Sequence, residues 1–188
     1  MYKFDYLGVN PVTNGIDFTT LNHGHFIKEM CKITNCQKYL ELGVDENKTF
    51  SVVAEVVPYC VGVDMSDRRR SRVGVFHQKS TDDFFKENKD TFDVIFIDAS
   101  HRIENVLRDF KNSLNCLSEF GIILMHDTDP AVKSLYNKNG DFCGDAADII
   151  DIINNEYKDE LNVITLPFDS AGITIVNRKN DRRLNKWK

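Results

Sequence analysis

The chain has no Cys-x-x-Cys pair: its five cysteines, Cys31, Cys36, Cys60, Cys116 and Cys143, are odd in number and scattered. That spacing speaks against a zinc site or a redox dithiol and for thiols idle in a reducing compartment. There is no excess of basic charge either. With 24 Lys and Arg against 29 Asp and Glu, the formal net charge is -5, so nothing draws the chain along a nucleic-acid backbone. No stretch reaches the ~18 apolar residues that a bilayer span needs. The opening segment, MYKFDYLGVNPVTNG, has neither the basic start nor the apolar core of a secretion signal. A cytoplasmic protein with neither nucleic acid nor membrane as partner is expected. No repeat or low-complexity tract interrupts the 188 residues, a length that suits one domain.

Glycine is scarce where a dinucleotide site would want it. Such a site needs G-x-G-x-x-G, so that a pyrophosphate can touch a helix amino terminus. Between Glu41 and Thr49 the only glycine is Gly43, and Asp45 and Glu46 stand where the phosphate would sit. At about 4 Å and an effective dielectric near 20, each charge would repel a phosphate charge by roughly 4 kcal/mol. A nicotinamide- or flavin-dependent oxidoreductase is therefore disfavoured.

What the chain does have is four short apolar runs that each end in an acid: Tyr39-Leu40-Glu41, Val61-Gly62-Val63-Asp64, Val94-Ile95-Phe96-Ile97-Asp98 and Ile122-Ile123-Leu124-Met125-His126-Asp127. If these are parallel strands of one open sheet, the carboxylates align along the carboxyl edge, where such sheets hold ligands. That rim suits a cationic ligand or a metal ion. S-adenosylmethionine, with a sulfonium, an amino-acid head and a ribose, matches it. Asp64, about 20 residues beyond Gly43, is spaced to accept from two ribose hydroxyls; capping a following helix is its other available role.

From Gln37 onward, apolar strand-length runs alternate with helical segments, the pattern of a parallel sheet with helices on both faces. Strands are expected at 38–42, 59–64, 73–76, 93–98 and 120–126. Helices are expected over His25 to Ile33, Thr49 to Val57 before Pro58, Ile103 to Leu117 and Ala146 to Tyr157. The runs Leu161 to Leu166 and Ile173 to Val176, around Asp169-Ser170-Ala171-Gly172, read as an antiparallel hairpin. Residues 1–36 form an arm and helix that can serve as a lid, 37–178 the main domain, and 179–188 a polar tail.

The succession YLELG, VGVDMS, FDVIFIDASHRIENVLRDF, GIILMHDTDP and LPFDSAGITIVNR resembles the class I S-adenosylmethionine-dependent methyltransferases, in the small-molecule O-methyltransferase-like branch with His-Asp-Thr after the fifth strand. The resemblance implies an α/β, Rossmann-like seven-stranded sheet of order 3-2-1-4-5-7-6 with strand 7 antiparallel. It implies that Glu41 and Gly43 shape the methionine end of the cofactor pocket, that Asp64 binds the ribose, that Ser80 and Thr81 contact adenine, and that Asp98 and Ala99 border the sulfonium. Related proteins carry further glycines at the positions of Asp45 and Asn47, and Asn tolerates a left-handed backbone better than Asp.

Metal-dependent members of this branch have a constellation similar to Asp98, Asp127 and the next residue, here Thr128. Two carboxylates are ligands of the kind Mg²⁺, Ca²⁺ or Mn²⁺ selects; the alternative for Asp127 is a cap. His101 falls where the family's general base is often found, and its reference pKa near 6.5 lets it take a proton from an acceptor hydroxyl at neutral pH. His126 reads as structural. His23 and His25 reach a pocket only if the amino-terminal segment folds over it. The run Arg68-Arg69-Arg70-Ser71-Arg72 is a solvated face or a grip for an acidic substrate. The reading is methyl transfer from S-adenosylmethionine to a hydroxyl of a small molecule, such as a sugar or other hydroxylated metabolite, with His101 and Asp98 as catalytic groups. The alternative is a non-catalytic binding or assembly module on the same fold.

Overall fold

The computed structural model describes residues 23–168 and 170–179. Seven strands form one sheet in the order β3-β2-β1-β4-β5-β7-β6. They are β1 (Lys38–Leu42), β2 (Tyr59–Asp64), β3 (Val75–Gln78), β4 (Phe92–Ile97), β5 (Leu117–His126), β6 (Leu161–Leu166) and β7 (Ile173–Arg178). Strands β1 to β5 pair in parallel, and β7 runs antiparallel to both β5 and β6. The expected order and the reversed last strand are both present. The helices are α1 (His23–Ile33), α2 (Lys48–Val53), α3 (Thr81–Glu87), α4 (Ile103–Cys116) and α5 (Ile149–Glu156). None of them is long and apolar enough to cross a membrane.

The strands read as unbroken apolar runs because both faces of the sheet are covered. Alternate side chains serve two separate cores. Leu40, Leu42, Val61, Val63, Ile95, Ile97, Ile123 and Met125 pack with Phe84, Val106, Phe110 and Ile149 from α3, α4 and α5. Tyr39, Cys60, Val94, Phe96, Ile122 and Leu124 pack with Ile27, Cys31, Phe50 and Val53 from α1 and α2. The amino ends of three strands are tied by Asp93, whose carboxylate accepts from the backbone of Gln37 and Lys38 and from the Ser118 hydroxyl.

Several boundaries differ from the sequence reading. Strand β3 begins two residues late, at Val75, because Gly74 turns with φ +64 and a Cβ there would meet the Phe50 ring at 2.8 Å. Helix α2 stops at Val53, four residues short. Pro58 disfavours helical backbone at Val57, and Val56 and Val57 instead donate to the Val53 carbonyl in a closing turn. Helix α3 was not expected. Ser80 caps it by accepting from the Asp83 backbone N–H at 3.1 Å, and Asp82 and Asp83 occupy its first turn. Strand β5 starts at Leu117 rather than Phe120, and the first turn of the Ala146 helix is a 3-10 turn. The arm over residues 1–20 and the tail beyond Lys179 lie outside the described residues.

Candidate active site

Where β1 ends, Gly43 turns with φ +88 and lies so close to β4 that a Cβ would sit 2.2 Å from the Asp98 carbonyl oxygen. Only glycine fits both constraints. Two further residues of this loop are left-handed, Asp45 with φ 47 and Asn47 with φ 56. Asn47 is held there because its amide donates to the Ser71 carbonyl and hydroxyl while its oxygen accepts from Arg70 N–H. Asp45 pairs with Arg68 at 2.5 Å. Arg70 binds Glu46, and Arg69 and Arg72 bind Asp67. The basic run is therefore neutralised locally, and Arg69 also stacks on Phe76, 3.8 Å from the ring centroid.

Asp64, the last residue of β2, accepts from the backbone N–H groups of Val44 and Asp45 at 3.0 Å and from Ser66 at 2.9 Å. It braces the turn that Gly43 begins. All four strand-end acids, Glu41, Asp64, Asp98 and Asp127, line one cavity of about 590 Å³ at the carboxyl edge, together with Gly43, Ala99 and His101. Ser80 and Thr81 are not part of its wall. Ser80 is committed to the α3 cap, and Thr81 lies beside the Asp109 carboxyl.

The four acids do not carry equal charge. Burial pushes the Glu41 carboxyl well above its ordinary value, against the hydrogen bond it accepts from the Tyr39 hydroxyl at 2.6 Å. At the other end of the cavity, His126 Nδ1 lies 3.3 Å from Asp98 and 3.4 Å from Asp127. Burial by itself would lower this imidazole, but the hydrogen bonds to Asp127 and Asp98 outweigh it and push the group up to about 10. Burial likewise opposes ionisation of Asp127, yet the His126 hydrogen bond and charge hold its carboxyl below the usual range. The two carboxylates thus favour the charged form of His126, whose ring lies beside that of His23 with centroids 4.6 Å apart and planes tilted by 45°. His23 lines the cavity, whereas His25 is exposed on the outer side of α1.

His101 faces the same pair of carboxylates. Its Nε2 is 3.1 Å from Asp127 and 3.8 Å from Asp98, and its Nδ1 meets the Phe142 carbonyl. Asp98, His101 and Asp127 each offer one ligand atom, all within 4.8 Å of one another. Thr128, expected as the third ligand, is turned away. Its hydroxyl accepts from Thr174 at 2.8 Å and donates to the Met125 carbonyl, inside the β5–β7 contact. His101, three residues past Asp98, stands in the third place instead.

Phe142 and Cys143 also line the cavity. No motif in the sequence marks either as a site residue; they lie in the stretch between β5 and α5, which Asn137, Gly140 and Gly144 fold tightly.

A family model described as a methyltransferase domain matches residues 20–128. The chain belongs to the methyltransferase-domain family. No curated protein matches the chain in sequence. Among solved structures, this methyltransferase-domain chain is similar to the SAH-bound methyltransferase PaMTH1 of Podospora anserina, with 18% identity over 84% of this chain and 78% of that one and a TM-score of 0.68. It is similar to the O-methyltransferase from Bacillus cereus in complex with SAH, with 16% identity, coverage of 87% and 82% and a TM-score of 0.64. The O-methyltransferase TomG from Streptomyces achromogenes, in complex with SAM, matches at 13% identity, coverage of 84% and 79% and a TM-score of 0.61. At these identities the likeness is one of fold: the seven-stranded Rossmann-like methyltransferase sheet.

Proposed function

We propose that this chain transfers the methyl group of S-adenosylmethionine to a hydroxyl of a small molecule. One observation carries the reading: the Gly43 turn, the acidic strand ends and the His101–Asp127 pair all face a single cavity. Solved structures of like fold contain SAM or SAH, and the cavity residues fit such a group. Gly43 lets the end of β1 pack directly on the Asp98–Ala99 backbone, which brings the two strand ends together at the cavity wall, and Asp64 and Asp98 present carboxylates to a ribose and a sulfonium. When bound, the cofactor supplies an electrophilic methyl group. No phosphate has to be placed beside Asp45 and Glu46.

His101 accepts the acceptor's proton at Nε2, and the imidazolium so formed is stabilised by Asp127 at 3.1 Å. Asp98 orients the acceptor from the other side. Holding the acceptor oxygen in line with the methyl carbon supplies the larger share of the acceleration, an effect worth up to ~7 to 11 kcal/mol in well-oriented systems. Asp98, His101 and Asp127 also form an oxygen-rich donor set that fits a divalent cation such as Mn²⁺ or Mg²⁺. A cation there would lower the pKa of a bound hydroxyl and engage the His101 lone pair. The two uses of His101 exclude each other, and the response to a chelator separates them.

The rival reading, a non-catalytic module, rests on Asp45 and Asn47 standing where related proteins carry glycine. Both residues take the left-handed backbone that glycine would, so the loop keeps its course and that motive weakens. Titration calorimetry with SAM and SAH tests the proposal. Binding of both is expected, with Asp64→Ala losing most of the affinity. A folded wild-type sample that binds neither ligand sinks the proposal.

A further inference from the structure

We propose that Phe142 is a specificity-determining residue: its ring forms a platform at the mouth of the cavity, and the acceptor is a ring compound that lays an apolar face on it. The proposal rests on the methyl-transfer reading above and narrows its acceptor to a hydroxyl carried on a ring. Phe142 lines the cavity that holds the strand-end acids, yet it is 62% exposed. Its side chain belongs to none of the three buried apolar clusters among the described residues. A large aromatic group left in water beside a ligand cavity is contact area that a ligand can bury.

The backbone does not favour this residue either. Asp141 to Gly144 form a tight turn, closed by the Gly144 N–H donating to the Asp141 carbonyl at 2.8 Å. Phe142 is the second residue of that turn and has φ 52. Turns with positive φ at that position are dominated by Gly, Asn and Asp, and a bulky side chain there is a conformational outlier. The ring thus neither fills the core nor suits the turn. Its neighbours impose the conformation. Buried Cys143 packs with Leu135 and Ala171, and its N–H donates to the Leu135 carbonyl at 3.2 Å. Before the turn, the Asn137 side-chain oxygen accepts from Asn139 and Gly140 N–H at 2.9 and 3.1 Å. After it, Gly144 approaches His101 so closely that a Cβ would lie 2.0 Å from the His101 carbonyl oxygen. A strained and exposed aromatic residue, held by a frame that over-determines it, points to contact with a ligand.

The place of the platform sets what it can hold. The Phe142 carbonyl meets His101, so the ring is rooted beside a group that faces the acceptor hydroxyl. Hydroxyl groups project from the rim of a flat aryl ring, and the equatorial ones of a pyranose do the same. Either ring can lie on Phe142 and still send a hydroxyl edgewise to the carboxylate side of the cavity. An open-chain polyol has no such face, and covering the Phe142 ring with it would strip water from hydroxyls that gain no partner there. The chemistry recognised is a six-membered ring with an unbroken apolar face, supplied by an aryl hydroxyl compound or by a pyranoside.

The test is calorimetric titration of the full chain, with and without saturating SAH, using 2-naphthol, methyl β-D-glucopyranoside and sorbitol as probes. At least one ring probe is expected to bind and sorbitol is not, and the ring that binds tells an aryl acceptor from a sugar. Phe142→Gly and Phe142→Asn are expected to weaken that binding by about tenfold or more, and Phe142→Tyr to keep it. Gly and Asn both suit a left-handed turn, so neither variant should lower the urea midpoint, which separates a lost contact from lost folding. Binding of neither ring probe, equal binding of sorbitol, or full ring affinity in both the Gly and the Asn variant overturns the platform. A wild-type chain that binds no SAH overturns the methyl-transfer reading instead, and the titrations without SAH still decide the platform.

Discussion

Asp109 shows what burial does to a single side chain in this protein. It lies on the inner face of α4, and one of its carboxylate oxygens has no hydrogen-bond partner among the described residues. Burial pushes the group up to about 6, against the pull of the Thr81 hydroxyl and Arg108. The folded state therefore binds a proton that the unfolded chain has already released. Stability from this group is complete below the unfolded value near 3.8 and is lost as pH rises to about 6. Asp109→Asn is expected to be more stable above that range by on the order of 2 kcal/mol. Urea unfolding at a series of pH values should show the wild-type decline, and the variant should lack it. Glu41 and His126 carry the same lesson. Their types and positions were plain in the sequence, but that the first is pushed towards neutrality and the second towards a charge follows from packing alone.

At the scale of elements, local pattern predicted well wherever one residue type repeats at one period. The stripe Ile103, Val106, Leu107, Phe110, Leu114 and Leu117 marked α4, although Leu117 itself opens β5, and the two β-branched runs around Ala171-Gly172 marked the β6–β7 hairpin. Helix α3 escaped because its signal lies in a cap, Ser80 with Asp83, rather than in an apolar stripe. Elements are also joined by single side chains that no periodicity announces. Arg178, at the end of β7, donates to the carbonyls of Leu114, Leu117 and Ser118 at 2.6, 3.0 and 3.0 Å. Those carbonyls close the carboxyl end of α4, where a cation is favoured. Arg178→Ala is expected to cost roughly 2 to 3 kcal/mol with the fold kept, read as a lower urea midpoint at unchanged slope.

Over the whole molecule, the five cysteines are free and buried. Burial drives the Cys60 and Cys143 thiols up to about 12 and Cys116 to about 11, so little thiolate is available to react. The thermal midpoint is expected to be the same with and without reductant, and thiol reagents should label the chain only as it unfolds. A midpoint that falls on adding reductant would show a disulfide supporting the fold.

By itself the sequence determined the parallel sheet, its covered faces and the row of acids on one rim, because strand period and strand-end position are local properties of the chain. Tertiary structure decided how those acids are used. It tied Asp64 to the turn after β1, gave Asp98 and Asp127 the His126 charge, turned Thr128 away from them, and brought Phe142 to His101 across 41 positions of sequence. Such pairings depend on which loops close over the same sheet edge, and that is settled only when the layers pack.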